Sequence, residues 1–267
     1  MKPFLKWAGN KYRIIKRIQK TLPEGKRLIE PFLGSGAVFL NTDYRRYLLC
    51  DNNQDLISLY KILQQEGMAF VNDCKKLFTP RYNNNEVYYR LRDEFNKSTN
   101  ERRKATLFLY FNRHGYNGLC RYNAGGGFNV PFGRYNKPYF PEKEMLFFHE
   151  KARRAEFRHE SFEDVFARVR KGDVIYCDPP YVPLSVSANF TNYSAGGFTL
   201  KQQQCLADIA QTTSGKGIPV LISNHYTLFT KKAYREASQL EHFDVRRFIS
   251  CNGSKRENAN EVLALFG

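Results

Sequence analysis

Short apolar runs alternate with longer amphipathic stretches in the first part of the chain. Residues 28–30 and 47–51 are apolar runs that end in an acidic residue, and they predict two short buried strands. A glycine-containing turn follows the first run, and a helix is expected to begin at Ala37. Apolar residues recur at helical spacing over residues 56–65, which predicts a second helix. Strand, helix and strand in succession predict a parallel sheet covered by helices.

The same alternation returns toward the end of the chain. Residues 173–178 and 218–224 predict two further strands, and residues 200–212 predict a helix between them. Because the two α/β parts share one pattern, they are expected to build one sheet. We therefore predict an α/β domain formed by residues 1–55 and 144–267.

Residues 56–143 interrupt this domain and form a predicted insertion that is richer in Asn, Arg, Tyr and Gly. Helical spacing recurs over residues 87–95 and 106–111. The stretch 119–135, LCRYNAGGGFNVPFGRY, has a polar, glycine-rich centre between strand-forming flanks, which predicts a β-hairpin or a long mobile loop. The expected fold is an α/β sheet domain that carries a helical and β-hairpin insertion.

The charge balance points to a type of partner. The chain carries 42 Lys and Arg residues against 26 Asp and Glu residues, a formal net charge of +16. So large an excess costs self-repulsion in the folded state and favours a polyanionic partner such as nucleic acid. The alternative is that the excess serves only solubility. Hydrophobic residues make up 42% of the chain, which suffices for a packed core and is unlike a disordered protein.

Metal sites, disulfides and membrane spans find little support in the sequence. None of the six cysteines forms a C-x-x-C pair, and none of the five histidines belongs to an H-E-x-x-H or H-x-E pattern. No run approaches the ~20 apolar residues that a membrane helix needs. We expect a cytoplasmic protein of a reducing compartment that uses no metal.

The turn after the first strand is a candidate cofactor site. Gly34 and Gly36 let the backbone approach a ligand, and Asp51 ends the next strand, where an acid can accept hydrogen bonds from ribose hydroxyls. A dinucleotide motif has a third glycine at the position of Phe39. A nucleoside cofactor therefore fits better, and S-adenosyl-L-methionine is the common cofactor of that shape. The alternatives are a nicotinamide dinucleotide, which Phe39 disfavours, and an ordinary tight turn.

The sequence CDPPY, at the end of the predicted strand 173–178, is a second candidate site. Two consecutive prolines end a central strand because neither can donate to the ladder. Prolines supply carbonyls but no N–H groups, so the Asp178 carboxylate and the Pro179 carbonyl offer acceptors alone. Two acceptors match the two N–H donors of an exocyclic amine. Ligands of open parallel sheets lie beyond the carboxyl ends of the strands, so we expect this site beside the cofactor turn.

An exocyclic amine on a base is a weak nucleophile because its lone pair is delocalised into the ring. Acceptors that hold both hydrogens draw the nitrogen toward tetrahedral geometry and free the lone pair for attack on a sulfonium methyl. Pro180 belongs to the same rigid strand end, and Tyr181 offers a flat face on which a base can stack, typically worth ~1–3 kcal/mol. The alternative is a strand end with a β-turn and no catalytic role.

Several motifs together resemble the Dam-type DNA adenine-N6 methyltransferases. FLKWAGNK, EPFLGSG and DPPY occur in that family's order, with the cofactor motif first and DPPY last. The resemblance covers essentially the whole chain, since further stretches match as well: EVYYRLRDEFN, NRHGYNGLCRYN, FNVPFGRY, SANFTNYS and VLISNH. Two positions depart from it. Asn10 stands where the family often has glycine, and Tyr226 stands where relatives can have aspartate.

The resemblance implies a Rossmann-like sheet and S-adenosyl-L-methionine-dependent methylation of adenine N6 in double-stranded DNA. It further implies GATC as the site and a monomer of bacterial or phage origin that associates with the nucleoid. The implied cofactor contacts are Trp7, Lys11, Glu30, Phe32, Gly34, Gly36, Asp51 and Asp178. The implied catalytic residues are Asp178, Pro179, Pro180 and Tyr181. A base inside a duplex cannot reach such a site, so the enzyme is expected to flip it out of the helix.

Arg121, in the insertion, is expected to read a base. An arginine can pair bidentately with guanine O6 and N7 in the major groove, which is worth ~1–3 kcal/mol of discrimination. Leu119 and Pro131 can contact a thymine methyl group. The resemblance adds Lys6 as a second guanine contact, and Arg134 is placed among the DNA contacts. The alternative is that Arg121 is a solvated strand residue or a phosphate clamp.

Two residues just before Arg121 are expected to act on the opened duplex. Tyr116 and Asn117 can wedge into the base stack or pair with the orphaned base. The alternative is that Tyr116 and Leu119 are plain core residues. Residues 252–260 are expected to bind a phosphate through the backbone or to form a flexible loop. Basic runs elsewhere are expected to contact phosphates or to face solvent: residues 102–104, 153–154 and 246–247.

Other functions stay open at this point. Cytosine-N4 methyltransferases use a related pocket, and a catalytically silent DNA-binding protein would share the fold. RNA or a protein side-chain amide are further conceivable methyl acceptors. Cytosine-C5 methylation is disfavoured because it needs a cysteine nucleophile, commonly in a Pro-Cys pair, and no proline precedes Cys177.

Overall fold

Seven strands form one sheet in the computed structural model, which describes residues 1–183, 198–246 and 258–267. The strands are β1 (Arg27–Glu30), β2 (Arg46–Asp51), β3 (Ala155–His159), β4 (Asp173–Cys177), β5 (Val220–His225), β6 (Gln239–Arg246) and β7 (Asn258–Phe266). They lie in the order β3-β2-β1-β4-β5-β7-β6. β1 runs parallel to β4, β2 to β3 and β4 to β5, whereas β7 is antiparallel to both β5 and β6.

Within these described ranges the chain also forms ten α-helices. They are α1 (Ile15–Thr21), α2 (Ala37–Asn41), α3 (Gln54–Glu66), α4 (Met68–Lys75), α5 (Asn85–Lys97), α6 (Glu101–His114), α7 (Glu142–Ala152), α8 (Phe162–Phe166), α9 (Leu200–Ser214) and α10 (Leu228–Ala233). Short 3₁₀ turns lie at Lys11–Ile14, Pro80–Tyr82 and Tyr116–Gly118. No described helix has both the length and the apolar character that a bilayer crossing requires.

The main sequence-based predictions of secondary structure are confirmed. The four predicted strands are β1, β2, β4 and β5, and the predicted helices lie inside α3, α5, α6 and α9. β5 begins at Val220 rather than at residue 218 because Pro219 has no N–H to donate; its carbonyl instead accepts a hydrogen bond from the Ile175 N–H at 3.0 Å. β3, β6 and β7 were not expected from the pattern.

Asparagine side chains begin three of the longer helices. Each accepts a hydrogen bond from the backbone N–H three residues later, which satisfies one of the donors left open at a helix start. The three bonds are Asn53 to Leu56 N at 3.1 Å, Asn84 to Val87 N at 3.0 Å and Asn100 to Arg103 N at 2.9 Å. Part of the asparagine enrichment in the predicted insertion therefore has a local, structural origin.

The chain forms two compact units. The first comprises Met1–Lys16 with Leu33–Ser161, and the second comprises Arg17–Phe32 with Phe162–Gly267. The division predicted from the sequence separates a catalytic domain from a recognition insertion by role. Compactness does not test roles, so that division stays a prediction.

An aromatic cluster forms much of the core of the first unit. The ring of Tyr60 stacks on that of Phe148 at 4.7 Å between centroids, and Phe148 in turn stacks on Phe157 at 5.7 Å. Phe39 meets Phe148 edge to face at 5.6 Å. Phe39, which broke the dinucleotide pattern in the sequence, is thus fully buried and serves packing.

The second unit is fixed by an ion pair between β1 and β4. Arg27 and Asp173 lie opposite each other in the strand register, and the guanidinium donates to both carboxylate oxygens, at 2.9 and 2.7 Å. Asp173 also accepts a hydrogen bond from the Arg170 N–H at 2.8 Å. Because Asp173 is almost completely buried, a shift of register would leave its charge without a partner, which disfavours alternative pairings.

The predicted hairpin is a closed loop rather than a regular ladder. Tyr122 pairs with Phe128 and Gly115 with Phe132, each as a single antiparallel bridge. The Asn123 N–H donates to the Gly127 carbonyl at 2.9 Å and closes the polar tip. We call residues 115–135 the recognition loop. Two earlier motifs, residues 187–194 and most of residues 252–260, lie outside the described residues.

Candidate functional site

The first unit holds a tight turn around Gly34. The Gly34 N–H donates to Oδ2 of Asp51 at 2.9 Å, and the Tyr60 hydroxyl donates to the Gly34 carbonyl at 2.7 Å. Gly34 has φ 50°, in the left-handed region that favours glycine. A Cβ atom at this position would lie 2.8 Å from Nε1 of Trp7. The sequence-predicted residues Trp7, Gly34 and Asp51 are therefore in one place.

Asp51 is engaged by the backbone on both of its oxygens. Besides the bond from Gly34, Oδ1 accepts the Asn53 N–H at 3.0 Å. Burial raises the pKa of the Asp51 carboxyl, and the two N–H donors oppose that shift. The two oxygens of a carboxylate offer about four acceptor positions, so the Asp51 carboxylate keeps acceptor capacity for a ligand hydroxyl. The predicted contact with a ribose stays a prediction.

Asn10, one of the two residues that depart from the family pattern, connects the N-terminal segment to the turn. Its Nδ2 donates to the Ser35 hydroxyl at 3.0 Å, and its Oδ1 accepts the Tyr12 N–H at 2.8 Å. The neighbouring Lys11 is buried and donates from Nζ to the Gly9 carbonyl at 2.6 Å. Gly36, the second glycine of the pair, has φ 71° and begins α2.

The second unit holds the CDPPY motif at the end of β4. Asp178 is half-buried, and its Oδ1 accepts the Ser223 hydroxyl at 3.1 Å. The Tyr176 hydroxyl lies 2.9 Å from Ser223 Oγ. Two hydroxyl groups, Tyr176 on β4 and Ser223 on β5, therefore form a hydrogen-bonded series that ends at the Asp178 carboxylate. Ser223 was not singled out from the sequence, although it stands two residues before the end of a strand that packs beside β4.

Side chains from α9 and β5 hold the prolines of the motif. Gln203 Nε2 donates to the Pro180 carbonyl at 2.6 Å, and Asn224 Nδ2 donates to Gln203 Oε1 at 3.0 Å. The Asn224 Oδ1 atom accepts the Val182 N–H at 2.9 Å. Gln203 occupies the carbonyl of Pro180 and not that of Pro179. The backbone of the motif is thereby fixed on the side that faces α9 and β5.

Tyr181 is oriented by two groups of the second unit. Its hydroxyl donates to Oε2 of Glu261 at 3.2 Å, and the ring of His225 meets it edge to face at 4.7 Å. Burial, followed by the charges of Asp178 and Glu261, raises the pKa of Tyr181 well above its ordinary value. The phenol therefore stays protonated and available as a donor. Its predicted stacking on a base stays a prediction.

Two further sequence-predicted cofactor residues lie in the second unit. Glu30 is buried at the end of β1. Phe32 stacks on Phe162 at 5.6 Å and meets Phe198 edge to face at 5.5 Å. The ring of Phe32 is thus held by aromatic neighbours of its own unit, and a cofactor contact by either residue stays a prediction.

Lys6 lies against the recognition loop in the first unit. Its Nζ atom lies 4.3 Å from the centroid of the Tyr135 ring, and the Tyr135 hydroxyl accepts the Asn117 N–H at 2.9 Å. Asn117 has φ 53°, and Tyr116 beside it is 52% exposed, which makes the interpretation of Tyr116 as a core residue wrong. Burial, and then the charge of Arg113, lowers the pKa of Lys6. Tyr135, which joins these residues, was missed in the sequence.

Arg121 is exposed and is held from the other side of the loop. Its Nε donates to Oδ1 of Asn129 at 2.8 Å, and its Nη2 donates to the Asn129 carbonyl at 3.2 Å. Leu119 is half-buried, whereas Pro131 and Arg134 are exposed. The expected DNA contacts of the recognition loop therefore include several accessible side chains, and their roles stay predictions.

A hydrogen-bonded link connects the Gly34 turn to the recognition loop within the first unit. Asn53, whose N–H binds Asp51, donates from Nδ2 to the Cys120 sulfur at 3.3 Å. A second bond joins the same two segments: the hydroxyl of Tyr122, two residues after Cys120, donates to Oδ2 of Asp55 at 2.7 Å. No sequence pattern indicated this link, because it depends on which side chains the fold brings to the start of α3.

Two of the basic runs are paired with carboxylates. Arg102 contacts Glu66 and Asp73, Arg103 contacts Glu94, and Lys104 contacts Asp55. The pair 153–154 contacts Glu150 and Asp43. These cations are shielded by partners of opposite charge, which weakens the expectation that they bind phosphates.

Comparison with known proteins identifies the family to which the chain belongs. Residues 7–248 match the family model described as D12 class N6 adenine-specific DNA methyltransferase. The chain is 55% identical over 263 residues to a DNA adenine methylase of Escherichia coli, covering 98% of this chain and 94% of that protein. It is 54% identical over 264 residues to a DNA adenine methylase of Vibrio cholerae, covering 98% and 95%.

Proposed function

Because the chain belongs to the D12 class N6 adenine-specific DNA methyltransferase family, it is a DNA adenine methyltransferase, and we propose that it methylates the adenine of GATC in double-stranded DNA with S-adenosyl-L-methionine. The observation that carries the proposal is the Asp178 carboxylate, half-buried at the end of β4 and anchored on Ser223. The family description favours adenine N6 over the cytosine-N4 alternative.

Residues of the Gly34 turn suit a nucleoside cofactor. Gly34 lets the Trp7 indole lie directly against the turn, where a Cβ would come within 2.8 Å of Nε1, and Asp51 keeps acceptor capacity for a ribose hydroxyl. We assign the cofactor to these residues together with Lys11 and Gly36. When bound, S-adenosyl-L-methionine supplies an electrophilic methyl group on its sulfonium.

Asp178 and Pro179 would act on the target amine. Their oxygens accept hydrogen bonds and donate none, so both hydrogens of adenine N6 can be held at once. This holds electron density on the nitrogen and orients its lone pair. The carboxylate also stabilises the positive charge that develops on the nitrogen as it is methylated, and afterwards it can take up a proton from that nitrogen.

The second unit supports this clamp. Gln203 and Asn224 fix the backbone at Pro180 and at Val182, and Glu261 and His225 hold Tyr181. A side chain that is already ordered loses less entropy when a base arrives. Tyr181 would then offer its ring to the flipped adenine.

DNA recognition would come from the recognition loop and Lys6. The exposed Tyr116 suits insertion into the stack from which the base leaves, and flipping costs a few kcal/mol that such contacts offset. Arg121 would read a guanine, with Leu119 and Pro131 near a thymine methyl group. We further propose that the protein acts as a monomer on bacterial or phage DNA in the cytoplasm.

Product analysis tests the proposed function. The protein is incubated with S-adenosyl-L-methionine and duplexes that contain GATC or one of its single-base-pair variants, and the digested nucleosides are measured by mass spectrometry. We expect N6-methyladenine from the GATC duplex, at a rate well above that of every variant. Formation of N4-methylcytosine would contradict the assignment of the acceptor. Equal rates on the variants would contradict the assignment of the site.

A further inference from the structure

The side chain of Asn129 meets the guanidinium of Arg121 across the recognition loop. Arg121 donates from Nε to Oδ1 of Asn129 at 2.8 Å and from Nη2 to its carbonyl at 3.2 Å. The Asn129 N–H donates back to the Arg121 carbonyl at 3.1 Å. The exposed Arg121 side chain thus donates two hydrogen bonds, both to Asn129.

The contact with Asn129 leaves the outer edge of the guanidinium, formed by Nη1 and Nη2, available to bind a base. Arginine has five N–H donors in a rigid fork, and Asn129 takes the one on Nε and one on Nη2. Three donors are left, two on Nη1 and one on Nη2. This end of the fork can serve two acceptors in one plane, as guanine O6 and N7 require.

Asn129 is itself firmly placed. Its neighbours Phe128 and Val130 are buried, and side chains of α5 bind their backbone. Asn96 donates to the Phe128 carbonyl at 3.1 Å and accepts the Phe128 N–H at 2.8 Å. The Val130 carbonyl accepts the Tyr88 hydroxyl at 3.0 Å and Nη1 of Arg92 at 3.2 Å. Arg121 is therefore held by a loop segment, residues 128–130, whose backbone is bound by side chains of α5.

The loop does not need the Asn129 side chain to close. The bridge between Tyr122 and Phe128, the bond from Asn123 N to Gly127 O and the bond from Asn129 N to Arg121 O all involve backbone atoms. The Oδ1 atom of Asn129 is directed at the guanidinium instead. The hydrogen bond between Asn129 Oδ1 and Arg121 can therefore be removed by mutation without removing the backbone bonds that close the loop.

From this placement we propose that Asn129 is a positioning residue for base discrimination: it fixes the rotamer of Arg121 before DNA binds, with the Nη end directed outward. The inference rests on the proposed function, in which Arg121 reads a guanine. A flexible arginine must be ordered on binding, at about 0.5–1.5 kcal/mol for a side chain with many rotamers, which corresponds to about 2–12-fold in discrimination.

The test compares methylation of GATC with methylation of its single-base-pair variants, as ratios of kcat/KM, for wild type and five protein variants. Arg121→Ala identifies the base pair that Arg121 reads, by a loss of about 5–150-fold in discrimination there. Asn129→Ala is expected to lose about 2–12-fold at that same base pair and nothing at the other three. Asn129→Asp keeps an acceptor at the same place, so it is expected to restore the ratio, even if its charge weakens binding to all duplexes alike.

Two controls separate positioning from loop structure. Asn123→Ala removes an acceptor for the Gly127 N–H at the tip of the same loop, without touching Arg121, and is expected to leave all four ratios unchanged. In the Arg121→Ala background, Asn129→Ala is expected to add no further loss. A uniform loss at all base pairs, an additive loss in the double variant, or no effect of Asn129→Ala would overturn the proposal.

The same experiment distinguishes this inference from the proposed function. Wild-type methylation of GATC with unchanged ratios in Asn129→Ala contradicts the positioning role alone. If Arg121→Ala changes none of the kcat/KM ratios while wild type methylates GATC, Arg121 does not recognise a base. The positioning role of Asn129 is then contradicted as well. Absence of N6-methyladenine from the wild-type reaction contradicts the proposed function itself.

Discussion

Asp178→Asn is expected to lower the single-turnover rate of methyl transfer by about 10²–10³-fold, the usual effect of removing one preorganised electrostatic contact in an active site. Asparagine has the same shape, so it can keep the contact with Ser223. It lacks the negative charge, and its amide places a donor where the proposed clamp needs an acceptor. The rate is measured with enzyme in excess over a GATC duplex at saturating S-adenosyl-L-methionine.

Binding and a matched control complete this experiment. DNA and cofactor affinities of Asp178→Asn are expected to stay close to those of wild type, because the loss falls on the chemical step. Asp208→Asn makes the same change on the exposed face of α9, where the Asp208 carboxylate accepts a hydrogen bond from Gln204 at 2.8 Å, and this variant is expected to react at the wild-type rate. A wild-type rate for Asp178→Asn would show that the carboxylate charge takes no part in catalysis.

Gly34→Ala is expected to weaken S-adenosyl-L-methionine binding by about 100-fold. The new Cβ would lie 2.8 Å from Trp7 Nε1, so the indole must leave the place it occupies in the turn. A lost aromatic contact to a base is worth ~1–3 kcal/mol. The upper part of that range includes the ~2.7 kcal/mol that correspond to 100-fold in affinity. Calorimetric titration measures the affinity.

Gly217→Ala is the matched control for this substitution. Gly217 also has positive φ, at 74°, but a Cβ there meets nothing within 4 Å. Both variants are expected to lose ~1–2 kcal/mol of folding stability, seen as lower thermal midpoints, while only Gly34→Ala loses cofactor affinity. Equal affinities in the two variants would mean that the position of the Trp7 indole against Gly34 has no part in cofactor binding.

Of the strands that pair in parallel, β1, β2, β4 and β5 were predictable because they are short apolar runs with clear ends, whereas β3, with the sequence AEFRH, has no such pattern. The acids and prolines at those ends, Asp51 and Asp178-Pro179, indicated where chemistry would occur for the same reason. β6 and β7 were harder to predict, because they are antiparallel strands whose pairing is fixed by each other and by β5 rather than by a local βαβ rhythm.

The supporting contacts of the site could not be read from the sequence. Ser223 behind Asp178, Glu261 at the Tyr181 hydroxyl and Asn129 at Arg121 are each separated from their partners along the chain. No periodicity encodes such pairs, because they depend on strand register and loop closure. Patterns thus indicated the residues that are proposed to react, and the fold was needed to find the residues that contact them.

The most direct test of the central claim is a crystal structure of the protein with a GATC duplex and sinefungin, an unreactive analogue of the methyl donor. We predict that N6 of the flipped adenine lies within hydrogen-bond distance, about 2.7–3.2 Å, of both the Asp178 carboxylate and the Pro179 carbonyl oxygen. An adenine amine bound elsewhere, with Asp178 out of its reach, would contradict the account.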